Sequence, residues 1–306
     1  GPSVESALAA FTGAEVTVDR AVMRWPDRIV VTGLDLRLPE DTSALASPGA
    51  APGVTRLFEA DSASITLDLS ALATGSAPLA ALSIDRPVLH LTVDDARGLT
   101  NLDLLMRSRA DETGEPLRWP DRLPDVRITE GEIVRRRAAD GEAEVRAIVS
   151  VSGMLRVDEA AMPVYNAELT TAVLSTHDQA GPTPAAKPTR LTGRVDLRQG
   201  SASLQLERFT LAPIHRELLP EGLRVVWDHL DPSGALPGAT VNVAWGMGVK
   251  GGDALGPVRV RADLRLDDVA FTIPLERAMR PRMTGVRGKV LVRGDRVIAE
   301  EVRGEV

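Results

Sequence analysis

A mainly β chain is predicted, made of antiparallel strands that are dry on one face and wet on the other. Three features carry that expectation. Apolar and polar residues alternate with period two through most of the chain, Gly-bearing turns separate the alternating runs, and helical periodicity is confined to one or two short segments.

The clearest run sets Val258, Val260, Ala262, Leu264 and Leu266 against Arg259, Arg261, Asp263, Arg265 and Asp267. One side is wholly apolar and the other wholly charged. Successive strand side chains point to opposite faces, and one-sided burial favours antiparallel pairing over a parallel sheet covered on both faces. Earlier in the chain, Leu34, Leu36 and Leu38 alternate with Asp35, Arg37 and Pro39. Ile65, Leu67 and Leu69 alternate with Thr66 and Asp68, and Leu89, Leu91 and Val93 with His90, Thr92 and Asp94. Leu204 and Leu206 alternate with Gln205 and Glu207. Spacings near ten residues give on the order of fourteen to eighteen strands.

Arg198-Gln199-Gly200-Ser201 and Arg293-Gly294-Asp295-Arg296 read as hairpin turns, Gly supplying the positive φ such turns require. The strands before them repeat each other. Leu191-Thr192-Gly193-Arg194-Val195 matches Val286-Arg287-Gly288-Lys289-Val290, and Val151-Ser152-Gly153-Met154-Leu155 is a weaker third copy. Three copies point to an internally repetitive sheet.

Pro220 to Leu230 is expected to be a helix, with Leu223, Val226, Trp227 and Leu230 on one face and Asp231-Pro232-Ser233-Gly234 ending it. A shorter helix is expected from Thr100 or Asn101 through Leu104 and Leu105. The Pro-, Gly- and Ala-rich stretches Pro39 to Val54, Ala110 to Pro124 and Thr176 to Pro188 read as surface loops. None is long enough for an interdomain linker, so residues 3–306 are expected to form one domain.

Composition excludes several classes. The 306 residues carry 36 basic and 43 acidic side chains, a formal charge of -7, which argues against a nucleic-acid partner. Four Trp, four Phe and one Tyr are too few for base-stacking platforms. With no Cys, disulfide frameworks and thiolate chemistry are ruled out. The longest uncharged run, Leu69 to Ile84, is broken by Gly75 and Pro78 and falls short of the about 20 apolar residues of a spanning helix. Gly1-Pro2 resembles a tag-cleavage scar, and the alternation continues up to Val306, so a piece of a longer protein is expected.

No constellation for catalysis stands out, and an enzyme is not expected. His90, His177, His215 and His229 lack ligand spacing, so neither metal nor cofactor is expected. Asp94-Asp95, Asp267-Asp268 and Glu300-Glu301 are strand neighbours that would need a bend to act together. Gly246-Met247-Gly248 with Gly251-Gly252 lacks the Lys-Ser/Thr of a phosphate loop and reads as a turn. Arg135-Arg136-Arg137 is a local basic run that reads first as a solvated face.

Some segments suggest a family. Val16-Thr17-Val18 with Ile29 to Leu38 forms an opening strand pair, and Ala63 to Leu69 follows as a single alternating strand. Leu82-Ser83-Ile84-Asp85-Arg86-Pro87-Val88-Leu89-His90-Leu91 then leads into Gly98-Leu99-Thr100-Asn101. This order resembles the AsmA-like proteins of bacterial envelopes. Ile128-Thr129-Glu130-Gly131-Glu132-Ile133 resembles a further family strand, and Leu219-Pro220-Glu221-Gly222-Leu223 with Leu230 to Gly234 a helix-and-turn step.

The resemblance implies a long, curved antiparallel sheet forming an open apolar groove, with one or two short helices. It implies an envelope protein of the periplasm, held to the inner membrane by an N-terminal helix before Ser3. Its ligand would be phospholipid or another acyl lipid, moved between membranes or used in outer-membrane assembly, with envelope proteins as further partners. The groove lining would then be Leu34, Leu36, Ile65, Leu67, Leu69, Leu89, Leu91, Val195, Leu197, Leu204, Leu206, Val258, Val260, Leu264, Leu266 and Val290. Alternation alone fits a closed β-sandwich or barrel better, which would make the chain a protein- or glycan-binding envelope module. The resemblance reverses that order.

Overall fold

The computed structural model describes residues 5, 9, 14–38, 56–70, 79–94, 99–101, 123–139, 142–176, 187–219, 221–244, 259–273, 281–293 and 296–305. In chain order the strands are β1 (Glu15–Arg24), β2 (Arg28–Arg37), β3 (Arg56–Leu67), β4 (Leu79–Asp94), β5 (Leu99–Thr100), β6 (Asp125–Ala139), β7 (Glu142–Val157) and β8 (Val164–Thr176). They continue as β9 (Thr189–Asp196), β10 (Ser201–Leu206), β11 (Phe209–Leu211), β12 (Ser233–Leu236), β13 (Ala239–Ala244), β14 (Arg259–Thr272), β15 (Arg282–Arg293) and β16 (Arg296–Glu305). A 3-10 helix (Pro213–Leu218) and one α-helix, α1 (Glu221–Leu230), lie between β11 and β12.

All sixteen strands belong to one sheet. Thirteen lie side by side in the order β1-β2-β3-β4-β6-β7-β8-β9-β10-β13-β14-β15-β16. The short β11 and β12 continue the lines of β10 and β13, and β5 adds to the end of β4. β1 and β16 are not paired with each other, so the sheet is open, and the closed barrel or sandwich is not what forms. At about 4.8 Å per step the twelve steps span on the order of 58 Å.

One pairing departs from the antiparallel expectation. β4 and β6 run parallel, from Ala81↔Asp125 to Val93↔Arg137. A parallel neighbour needs a crossover of a dozen or more residues. Residues 95–124, which include the predicted loop Ala110 to Pro124, supply that length.

The predicted helix Pro220 to Leu230 forms from Glu221 onward. Of the shorter predicted helix only Thr100 and Asn101 fall among the described residues, and Thr100 belongs to β5. The Arg198–Ser201 hairpin forms as expected. Asp196 Oδ1 accepts hydrogen bonds from the Arg198 and Gln199 backbone N–H groups at 2.9 Å, and Gly200 takes φ +59°. β15 and β16 pair up to Arg293↔Arg296, while their turn residues Gly294 and Asp295 lie outside the described residues. The predicted loops Pro39 to Val54 and most of Ala110 to Pro124 and Thr176 to Pro188 lie outside them too.

The repeated Gly positions have one cause. A Cβ on Gly153 would sit 2.2 Å from the Glu168 carbonyl oxygen of β8, and one on Gly193 would sit 2.1 Å from that of Ser203 on β10. Gly288 meets the backbone of Glu301 and Val302 in the same way. Each Gly pairs with or alternates among apolar residues, so the missing Cβ belongs to the apolar face. At these three points the neighbouring backbone comes too close for any side chain.

Asn101 has a similarly concrete role. β3 pairs with β4 only as far as Leu89. Beyond that point the Asn101 side chain replaces a strand: Nδ2 donates to the His90 carbonyl at 2.6 Å, and Oδ1 accepts from the Thr92 N–H at 3.1 Å. Its side chain is fully buried.

Two substitutions test these points by chemical denaturation. Asn101→Ala leaves two buried backbone groups without partners and is expected to cost about 2–4 kcal/mol. Gly193→Ala forces β9 and β10 apart and is expected to cost about 1–3 kcal/mol, whereas Arg194→Ala on the solvated side should cost far less.

Candidate functional site

Residues directly opposite in a ladder project from the same face, so the register states which side chains share a surface. Followed strand by strand, one row runs Met23, Ile29, Ile65, Leu82, Val126, Leu155, Ala167, Gly193, Leu204, Val241, Ala262, Val292, Val297. A second runs Ala21, Val31, Ala63, Ile84, Ile128, Gly153, Leu169, Leu191, Leu206, Ala239, Leu264, Val290, Ala299. Each crosses all thirteen strands without one polar side chain. Two residues apart along the strands, the rows lie about 7 Å from each other.

The row between them projects from the opposite face and serves as a control. From β3 to β14 it reads Ser64, Ser83, Arg127, Met154, Glu168, Thr192, Gln205, Thr240, Asp263, polar but for Met154, and it turns apolar in the two strands at each border, with Val22 and Val30 at one and Leu291 and Ile298 at the other. That outer face carries cross-strand ion pairs, including Arg86 with Asp61 at 2.6 Å, Arg194 with Asp158 at 3.2 Å and Arg190 with Glu168.

Alternation in β1, β2, β3, β4 and β6 switches from odd to even numbers, or back, partway along each strand. In β2, Ile29 and Val31 give way to Leu34 and Leu36; in β4, Leu82 and Ile84 give way to Pro87, Leu89 and Leu91. Strict period two would turn half of each strand's apolar set outward. An extra residue prevents this in each strand. Gly33 at φ +64°, Arg86 at φ +47° and Glu130 at φ +51° mark the line, and Asp19 and Asp61 drop out of register beside them. A second such line crosses β14 to β16 at Asp268 (φ +65°), Gly285 (φ +59°) and Glu301 (φ +51°).

Most of this apolar face is only partly covered. Of the two long rows, only Val31, Ala63, Ala167 and Ala239 are buried, and the larger Leu and Ile residues remain half-buried. In a closed core these side chains would be fully enclosed. Two small packed clusters sit toward the ends of the sheet. One joins Ala14, Leu38 and Leu57; the other joins Leu236, Val269 and Val286.

The predicted lining residues fall on this face where the ladder defines it. Ile65, Leu204, Leu206, Leu264 and Val290 stand in the two rows. Leu36 and Leu89 belong to a third, Leu36-Phe58-Leu89-Ile133-Val149-Val173, and Leu34 lies beside Ala60 and Pro87. Val195 and Val260 belong to Tyr165-Val195-Ala202-Val243-Val260. Leu91 stands opposite Arg135, Leu266 opposite Gly288, and Leu67 opposite Leu79. Leu69 and Leu197 lie just past the ends of β3 and β9, and Val258 lies outside the described residues. The sequence list omitted Ile84, Ile128, Leu155, Leu169, Leu191 and Val241, which obey the same alternation in shorter runs.

The helical insert covers one section. The 3-10 helix packs beside β7 and β8, where β9 has ended, and Arg135 Nη1 donates to the Leu219 carbonyl at 3.4 Å. α1 then turns across the apolar face of β14 to β16. Val226, Trp227 and Leu230 roof a cavity of about 320 Å³ whose floor includes Leu264, Leu266, Val290, Val292, Val297 and Ala299. Every lining side chain is apolar, with Leu211, Leu236, Phe271 and Val302 at its far end. A larger recess of about 610 Å³ touches β9, β10, β13 and β14 but is mixed in lining, with Arg194, Asp196, Asn242 and Arg261.

The remaining candidates resolve differently. His90 lies on the outer face as expected, but it is buried rather than solvent-facing, with Nε2 3.0 Å from Glu59 Oε1. Burial holds its imidazole below the usual range, and the charges of Arg136 and Arg56 add to that against the Glu59 hydrogen bond. Burial likewise lowers His215, against its hydrogen bond to the Ala212 backbone. His229 is exposed and its Nδ1 lies 2.6 Å from the Val225 carbonyl; His177 lies outside the described residues. Among the described residues no three His, Asp or Glu side chains form a metal-ligating group. The Asp267-Asp268 and Glu300-Glu301 pairs do sit at bends, but all four side chains are exposed and Asp267 pairs with Arg287 at 3.3 Å. Asp95 and Gly246 to Gly252 lie outside the described residues. Of the Arg run, Arg135 and Arg137 stand opposite the apolar-face residues Leu91 and Val93, and Arg136 opposite the outer-face Thr92.

No protein-family model matches the chain, and no curated protein matches it.

Buried His90 and half-buried His215 both bind a proton less readily in the folded chain than near 6.5 in the unfolded one. Their stabilising contribution is therefore complete above that value and is lost as pH falls through the lowered folded values. The denaturation midpoint is expected to drop as pH falls below about 6.5, and the double variant His90→Gln, His215→Gln should flatten that slope when followed by urea titration.

Proposed function

We propose that this chain is a lipid-carrying trough whose apolar floor holds the acyl chains of phospholipid while the headgroups stay in water. The two uninterrupted apolar rows, largely half-exposed along one face of an open sheet, are the observation that supports it most. They offer an acyl chain a floor on the order of 58 Å long with no polar step. The resemblance to AsmA-like envelope proteins supports a periplasmic setting, inner-membrane anchoring in the longer protein, and passage of lipid between membranes or into outer-membrane assembly.

The energetics suit carriage rather than storage. Each CH₂ removed from water gains about 0.8 kcal/mol, so about thirty would gain on the order of 24 kcal/mol. Nearly all of that cancels, because a bilayer is equally dry. A conduit needs continuity, not a tight pocket, and small aliphatic residues leave room that Phe or Trp would fill.

Native mass spectrometry and lipid extraction of protein purified from an envelope-bearing host test this reading. Co-purifying phospholipid is expected. Leu155→Asp and Leu204→Asp, both half-buried in the floor, should fold by circular dichroism and lose most of the lipid, while Gln205→Asp on the outer face should retain it. An unloaded wild-type protein, or equal loading of all variants, would count against the trough.

A further inference from the structure

We infer that the chamber beneath α1 is a binding site for the terminal part of a single acyl chain, with the polar head left outside in the open trough. This rests on the lipid-carrying reading and adds to it a specific station and a roof. Four observations converge on it.

First, the chamber is continuous with the trough. The last members of both long rows, Val292 and Val297 in one and Val290 and Ala299 in the other, form its floor. A chain lying along either row is led under the helix. Second, its size and chemistry suit a hydrocarbon tail. About 320 Å³ lies at the lower end of the range for small-molecule sites, and no polar side chain lines it to hold water or a headgroup. Third, α1 is not packed down. Val226, Trp227 and Leu230 remain half-buried although they face the sheet, whereas protein interiors ordinarily leave few voids larger than a water molecule. Fourth, the insert is held from its own side of the sheet. Arg224 is buried and its Nε donates to the Leu219 carbonyl at 2.9 Å, and Arg216 Nη2 donates to Asp228 at 2.8 Å. These bonds tie the 3-10 helix to α1 as one unit, which the Arg135 bond to the Leu219 carbonyl joins to β6.

The occupant follows from the lining. A headgroup would leave its phosphate without a partner among apolar side chains, which is costly. A peptide segment would bury backbone N–H and C=O groups with the same cost. A hydrocarbon tail carries no such groups.

The test uses Trp227 as reporter. Trp25, Trp119 and Trp245 are replaced by Phe, and the protein is titrated with vesicles of a phospholipid brominated near the ends of its acyl chains, with the unbrominated lipid as reference. Loss of Trp227 emission with the brominated lipid alone is expected. Ala299→Phe in the same background fills the floor of the chamber at an exposed position and should abolish that loss. Should mass spectrometry detect bound phospholipid while Trp227 emission is unchanged, the chamber proposal fails and the trough reading stands. Quenching that persists undiminished in Ala299→Phe also overturns the chamber. If no lipid binds anywhere, both proposals fall.

Discussion

Everything in this molecule depends on agreement of parity between strands. The backbone ladder sets neighbouring residues side by side, and a slip of one residue would turn a strand's apolar set to the other face. Thirteen strands must agree at once for one face to remain apolar from Met23 to Val297. Short hairpins fix four of these registers, β1-β2, β6-β7, β9-β10 and β15-β16, and the lines of extra residues at Gly33, Arg86 and Glu130 restore agreement where the alternation changes phase. Without them half of β2, β4 and β6 would present Leu and Ile to the outer face. Those irregularities are therefore part of the design of the surface and not local defects.

The same constraint explains how the sheet can be stable with one apolar layer. Among the described residues no second layer, of the kind most domains use to bury an apolar face, covers the whole of it. Two small clusters of buried apolar residues form, around Leu38 and Leu57 toward one end and around Leu236 and Val286 toward the other, while others such as Val31, Ala63, Ala147 and Val173 are buried singly along the strands. Between them the fold relies on hydrogen-bonded ladders, partial burial of neighbouring side chains against one another, and interlocking polar devices such as Asn101 on β4. The outer ion pairs add little, since exposed pairs are worth about 0–1 kcal/mol each. At the first border, Glu5 Oε1 accepts the Val18 N–H at 3.1 Å, which satisfies an edge donor that another strand could otherwise claim.

Much of this was legible in the sequence. Period two identified the class, a strand count in the right range and the apolar side of the longest runs, because a face half in water leaves a plain pattern. Leu204, Leu206, Leu264 and Val290 were found that way. Three things were not legible for physical reasons. The parallel step between β4 and β6 depends on a long connection whose path no local pattern encodes. The phase changes at Gly33 and Arg86 look like the end of one strand and the start of another, although the switch recurring in five strands is a signal that could be sought. The place of α1 over β14 to β16 follows from tertiary packing, so Val226, Trp227 and Leu230 read as a helix face with no hint of what they roof. His90 illustrates the same limit: alternation gave its face correctly but not its burial.

A floor built from rows of small aliphatic side chains constrains evolution loosely. Selection acting on such a surface preserves which side of the strand is greasy and where the phase changes fall, and it is nearly blind to whether a given site holds Leu, Ile, Val or Ala. Neutral drift can therefore rewrite most of the letters while the shape endures. The glycines that meet a neighbouring carbonyl are the exception, since no other residue fits there, and they would be the slowest positions to change in such a lineage.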